Sequence, residues 1–223
     1  MGFYNSICPP NHYTGLSWTP SLVNEKKEVK IQQGAEKTKV TSGGNNVKSS
    51  KYYLYQHFMK NIYKEYFALM KKAKSVYISS VDENTKPEIS YSPCIVDDEK
   101  NVYILVSDLS KRTSSLVQGR NVSLMFIEPE DQCEDLYVRI RLIFECSTKQ
   151  IERKTEKWNE QIPVFLDKFG DIINILKSLR DFKMFCFSPV SGSYVKGFGK
   201  AYTIEGGALD QISHVNFSTN QKM

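Results

Sequence analysis

Few residues in this chain of 223 can do chemistry, and they gather in its second half. His214 is one of only three histidines, with His12 and His57. It follows the last strand-like run in Ser213-His214-Val215. A neutral imidazole there can ligate a metal, or it can be an ordinary solvated side chain. Arg139 and Arg141 stand two apart in a strand-like run, where alternate residues share a face. Two guanidiniums so placed can hold carboxylate or phosphate oxygens. They can equally form a solvated face with local ion pairs to Glu134 or Asp135. Asp181 precedes an apolar run. It can orient an imidazole by accepting from its second nitrogen, or it can simply turn a helix into a strand. Lys196-Gly197-Phe198-Gly199-Lys200 offers backbone freedom and two ammonium groups for a cofactor carboxylate or phosphate. No helix follows it, so it is not a dinucleotide fingerprint. Ser90, Tyr91 and Ser92 are further donors on one strand.

Other chemistries lack their residues. Three histidines so placed make no Ser-His-Asp set, no His/Cys cluster has zinc spacing, and no phosphate-binding loop is present. Cys8, Cys94, Cys133, Cys146 and Cys186 include no Cys-x-x-Cys pair. Their odd number suits reduced thiols, and Cys94, Cys146 and Cys186 read as buried packing. The net charge is +5. Residues 1–51 carry seven lysines against three glutamates, so the rest is nearly neutral. A nucleic-acid partner is not expected of the folded body. No apolar run of about 18 residues exists and no export signal is visible. A cytoplasmic protein without a membrane partner is the expectation.

The elements that position these residues follow from period and breakers. Residues 1–51 read as a poorly ordered basic leader, because Asn24 to Lys51 is almost devoid of apolar side chains. Tyr55, Phe58, Met59, Ile62, Tyr66, Leu69, Met70 and Ala73 recur at helical steps and predict one core-facing helix over 52–73. Strands are predicted over 75–81, 87–96, 102–106, 122–127, 137–148, 181–188 and 194–204, with turns between them, Pro189–Ser193 included. Short helices are expected at 109–118, at 158–169 ended by Gly170, and at 172–179. Pro163 predicts a kink or a late start in the second of these. The fold class is mostly β (α+β): a six- to seven-stranded antiparallel split β-barrel with peripheral helices. Residues 52–214 form this domain and 215–223 a flexible tail.

Several runs, in order, resemble one family. They are Pro87 to Pro93, Val102 to Ser107, Val122 to Glu128 with its acidic loop, Arg139-Ile140-Arg141-Leu142, Leu179-Arg180-Asp181-Phe182 and Val195-Lys196-Gly197-Phe198-Gly199-Lys200-Ala201-Tyr202. The pattern resembles the haem-utilisation split-barrel proteins of HugZ/HutZ type, relatives of the pyridoxamine 5'-phosphate oxidase flavoproteins. It covers about residues 75–214, and the last run is its most specific element. The resemblance implies a homodimer with haem in a cleft between subunits, degraded to release iron with oxygen and an external electron donor. It implies Arg141 as the distal arginine, Asp181 as the carboxylate behind the proximal histidine, and His214 as the iron ligand after a short register shift. The histidine that the family carries after the third strand is replaced here by Lys111-Arg112-Thr113. Two other functions share the fold: an FMN-dependent oxidoreductase and a non-catalytic haem store or carrier.

Overall fold

The computed structural model describes residues 46–110, 112–117 and 121–215, with side chains at positions 46–52 and 112 left out. The basic leader up to residue 45 and the tail from 216 lie outside the described residues.

Helix α1 (Asn46–Lys72) begins six residues before the stripe that announced it. Met59, Ile62, Tyr66 and Met70 are buried along one face. Tyr55 and Phe58, read as part of that stripe, stay about half exposed, at 47% and 46%. An antiparallel meander follows. Its strands are β1 (Ser75–Val81), β2 (Pro87–Pro93), β3 (Ile95–Val96), β4 (Val102–Ser107) and, after the short α2 (Arg112–Val117), β5 (Val122–Ile127). Next come β6 (Arg141–Ile151), α3 (Glu156–Phe169), α4 (Ile172–Ser178), β7 (Phe182–Val195), β8 (Ala201–Glu205) and β9 (Gln211–His214).

The sheet order is β2-β1-β5-β6-β7-β4-β3, with β8 on β7 and β9 on β8. One expected strand, 87–96, is therefore two strands at the two ends of this path. Only Cys94 separates them, so the edges meet and the sheet closes into a barrel. The seam is bonded from three sides. Cys94 N–H donates to Lys74 O (3.1 Å). Lys168 Nζ donates to Cys94 O (2.9 Å) and Ala73 O (2.7 Å), tying α3 to the seam and to the end of α1. Burial pushes the Cys94 thiol up to about 12, as suits a packing cysteine.

Two apolar cores share β4. Val102, Ile104 and Val106 face the barrel interior under α1, while Tyr103 and Leu105 face α3 and α4. Burial on both sides explains why that run shows no polar alternation. Helix α3 starts at Glu156, where the Thr155 hydroxyl accepts from Trp158 N–H, and it runs through Pro163 without the late start expected there. Gly170 ends it with φ 75°.

The longest departure from the sequence reading is β7. Residues 189–193, expected as a turn, lie inside this 14-residue strand. Pro189 is accommodated because the β6–β7 register shifts between Glu145 and Cys146, and Pro189 falls opposite Cys146. A proline cannot donate to a ladder, and an irregularity is where a central strand tolerates one. Gly192 lies across from Phe144, whose ring covers it: a Cβ there would sit 2.4 Å from Phe144 Cδ1. The strand expected over 194–204 divides at a turn, residues 196–200. Strand β9 falls in the domain at residues for which no strand was expected. Its four residues lack an apolar run of their own and are held by pairing with β8.

Gly192→Ala is expected to destabilise the fold by about 1–3 kcal/mol through overpacking against Phe144. Lys168→Met leaves two seam carbonyls unpaired and is expected to cost about 1–3 kcal/mol. Denaturant midpoints against the parent chain check both.

Candidate functional site

The site is built around the turn between β7 and β8. Val195 pairs with Ala201, Lys196 N–H donates to Lys200 O (3.1 Å), and Lys200 N–H donates to Gly197 O (3.1 Å). Gly199 has φ 64°, a conformation that favours glycine. Phe198 stands out from the tip, 76% exposed. The Lys196 ammonium pairs with the Glu65 carboxylate of α1, which fastens the turn to the helix.

His214 closes the other side. It pairs with Tyr202 across β8–β9, and its ring meets the Tyr202 ring edge-on at 5.3 Å. Its Nε2 lies 2.6 Å from Gly199 O. A carbonyl only accepts, so this contact puts the proton on Nε2 and the lone pair on Nδ1. Ligation through Nε2 would require the turn to release it. A cavity of about 450 Å³ opens here, lined by Tyr55, Phe58, Met59, Lys196, Lys200, Tyr202 and His214. Aromatic walls, an imidazole and two ammonium groups suit a flat apolar ligand carrying carboxylates. The half-exposed Tyr55 and Phe58 find their place as its walls. Burial and then Glu65 push the Tyr194 phenol up to about 12. Burial also raises Tyr202, with Lys196 lowering it and Glu65 raising it.

The two arginines do not share a strand face as expected. Leu136–Val138 form a 3₁₀ turn, so β6 starts only at Arg141. Arg139 is committed to the preceding loop: Nε donates to Glu128 O (2.5 Å) and Nη1 pairs with Glu130 (2.8 Å). Its partner is Glu130, not the nearer acids Glu134 or Asp135. Arg141 makes one 3.2 Å contact to Arg139 O and stays half-buried.

Register decides what one chain can assemble. Arg141 pairs with Val195, and Val195 with Ala201. The neighbouring row is Leu142, Tyr194, Tyr202 and His214. Adjacent rows face opposite sides of a sheet, so Arg141 and His214 lie on opposite faces. Asp181 stands at the far end of β7. Its carboxylate accepts from Ser107 Oγ (2.5 Å). Between it and the Tyr194 row runs about 40 Å of strand path, at about 3.3 Å per residue. Near Asp181 lies a second cavity of about 400 Å³, whose walls include Ser92, Ser107, Phe165 and Phe182. Within one chain, Asp181 cannot support His214.

Comparison with known proteins accords with this architecture. The family model described as Pyridoxamine 5'-phosphate oxidase matches residues 62–196. The chain belongs to that family. Within it the chain is of HutZ type: it is 34% identical over 142 residues to the Heme oxygenase HutZ of Vibrio cholerae, covering 64% of this chain and 80% of that one. The crystal structure of Vibrio cholerae HutZ, described there as a heme storage protein, superposes with a TM-score of 0.53 at 30% identity, covering 56% of this chain and 88% of the other. Campylobacter jejuni ChuZ superposes with a TM-score of 0.65 at 25% identity, over 82% of this chain and 76% of the other. The family match ends at Lys196, so β8, β9 and His214 lie beyond it.

Sequence reasoning missed Glu65, Tyr202 and Ser107. Glu65 sat on the polar side of a helix, and Tyr202 closed the Val195–Tyr202 run, in which the lysines and glycines had been singled out instead. Among the described residues no group of three acids, histidines or cysteines could hold a metal ion, and no helix is long and apolar enough to cross a membrane. His57 is exposed on α1.

The arginines are expected to separate on mutation. Arg139→Ala strips the 128–130 loop of its cation and is expected to cost about 1–3 kcal/mol. Arg141→Ala should change stability by no more than about 0.5 kcal/mol. Denaturant titration of the two variants side by side checks the contrast.

Proposed function

We propose that this protein binds haem between two copies of the chain and degrades it oxidatively to release iron. The observation that carries the reading is His214, set in an aromatic-walled cavity between two lysines, in a chain 34% identical to a protein named heme oxygenase. His214 would hold the haem iron, its Nε2 giving up the contact to Gly199 O to do so. Lys200 meets a propionate directly, and Lys196 does so by exchanging the Glu65 carboxylate for it. Arg141 is the distal donor, Asp181 accepts from the ligating imidazole, and Gly197, Phe198 and Gly199 shape the edge of the cleft. Bound haem would supply the oxygen chemistry, with electrons from an external donor.

The opposite-face placement of Arg141 and the far position of Asp181 support a shared site. In a dimer, Asp181 of one copy would face His214 of the other. A surface for that contact exists. Tyr91, Tyr77, Met125 and Ile143 pair in one row across β2, β1, β5 and β6, on the face away from the core. Ile89 lies on the same face, two residues along β2 from Tyr91, and is 77% exposed. A contiguous apolar row on an outer sheet face is the mark of an interface.

The family match favours a second reading, an FMN-dependent oxidoreductase whose flavin phosphate would take Arg141, Lys196 and Lys200. Arg139 is not available for such a clamp. A haem store that does not turn over is the third, as one HutZ structure is described.

The test is hemin titration followed by absorption. A stoichiometric Soret shift is expected, lost in His214→Ala, and with a reductant an open-chain tetrapyrrole product. Asp181→Asn should lower activity on the order of 10- to 100-fold. Mixing His214→Ala with Asp181→Asn subunits should restore turnover, because a mixed dimer holds one intact shared site. A Soret shift unchanged in His214→Ala would remove that ligand. Failure of the mixture would place the site within one chain. A flavin response with none to hemin would move the assignment to the oxidoreductase.

A further inference from the structure

The barrel interior holds a run of phenols that ends on His214. Tyr202 meets the His214 ring at 5.3 Å. Tyr194 lies 6.4 Å from Tyr202, nearly parallel at 29°. Tyr66 lies 6.3 Å from Tyr194, and Tyr63 lies 5.3 Å from Tyr66. Tyr66, Tyr194 and Tyr202 are 0%, 3% and 2% exposed. Tyr63 is half-buried and lines an open cavity with His57, Lys60 and Asp210. Four phenols thus lead from the candidate ligand to solvent.

Packing alone does not call for phenols. Phe144 fills the same cluster, 6.0 Å from Tyr66. A buried hydroxyl costs free energy unless it is bonded, and Tyr66 has to find Leu209 O at 2.7 Å. What a phenol adds to a phenyl ring is the ability to give up one electron together with its proton. The Glu65 carboxylate, paired with Lys196, lies close enough to act electrostatically on both Tyr194 and Tyr202.

We propose that Tyr202 and Tyr194 are one-electron donors to haem held at His214, and that Tyr66 and Tyr63 carry the oxidising equivalent on to the surface. This rests on the haem reading above. With hydrogen peroxide as oxidant, two electrons and two protons reduce one peroxide to two waters at the haem. Each of two tyrosines supplies one electron and its phenolic proton and becomes a neutral tyrosyl radical. The O–O bond breaks, no bond to the tyrosines forms, and both phenolic protons end in the two waters. As the radical site moves to Tyr66 and then to Tyr63, each phenol passes one electron and one proton to the radical before it, so no net proton is released. An external one-electron donor at that surface, with a proton from water in the open cavity, restores the phenol. The relay gives the site a one-electron outlet that spares the surrounding protein from oxidation.

The experiment uses the full chain loaded with hemin. Each variant is first checked for its Soret shift and its melting temperature, then mixed with one equivalent of hydrogen peroxide and frozen for electron paramagnetic resonance. The wild type is expected to give a tyrosyl signal. Tyr202→Phe and the Tyr194→Phe/Tyr202→Phe double variant keep the rings and should lose it. Tyr137→Phe, which removes a phenol 87% exposed and outside the run, should keep it. A normal Soret shift with an undiminished signal in the double variant overturns the relay alone, as does loss of the signal in Tyr137→Phe. Absence of any hemin shift in the wild type overturns the haem reading and the relay with it.

Discussion

Cys94 is the point at which the barrel closes, and the placement of every other element follows from it. One residue joins β2 at one end of the sheet path to β3 at the other. A sheet whose ends are so tied has to curl, and its inward side chains then share one core. The seam carries backbone groups that no ladder pairs. They are satisfied by Lys74 O and by the Lys168 ammonium, for which burial lowers the pKa. A buried cation on carbonyl oxygens is tolerable because an unpaired carbonyl in that place would cost more. The same ammonium bonds Ala73 O, so the end of α1, the seam and α3 are fixed together.

With closure set, β7 becomes the strand that links the two halves of the sheet. Its first half pairs with β4 and its second with β8, while β6 runs along its whole length. The register shift opposite Pro189 lets one strand serve both halves. Gly192 lets it pass beneath Phe144. The consequence reaches the candidate site directly. Asp181 and His214 are set at opposite ends of this strand, and Arg141 on the opposite face from His214.

Around His214 the interactions are local and modest. An exposed ion pair such as Lys196–Glu65 contributes at most about 1 kcal/mol. One hydrogen bond from the imidazole to Gly199 O adds a similar amount. Such holds suit a site that exchanges partners: Glu65 for a ligand carboxylate, Gly199 O for a metal. The rigid part is the aromatic wall beneath, in which Tyr66, Tyr194 and Tyr202 are buried.

Hydrophobic period and breakers alone determined much of the fold. The amphipathic α1, the runs of β1, β4 and β5, the stripe of α3 with Gly170 after it, and the antiparallel barrel class were all legible, because each is set by neighbours a few residues apart. The side-chain types at Arg141, Asp181, Lys196 and His214 were legible as well. Their surroundings were not. That Arg139 is spent on Glu128 and Glu130, that 87–96 divides at Cys94, and that 189–193 is strand were decided by tertiary structure, since each depends on what lies across a sheet. Strand β9 and the contact of His214 with Gly199 O belong with them, because a four-residue run with one apolar side chain, Ile212, becomes a strand only when β8 offers it a ladder. Local sequence specifies which way a residue can face; only the closed barrel specifies what it faces.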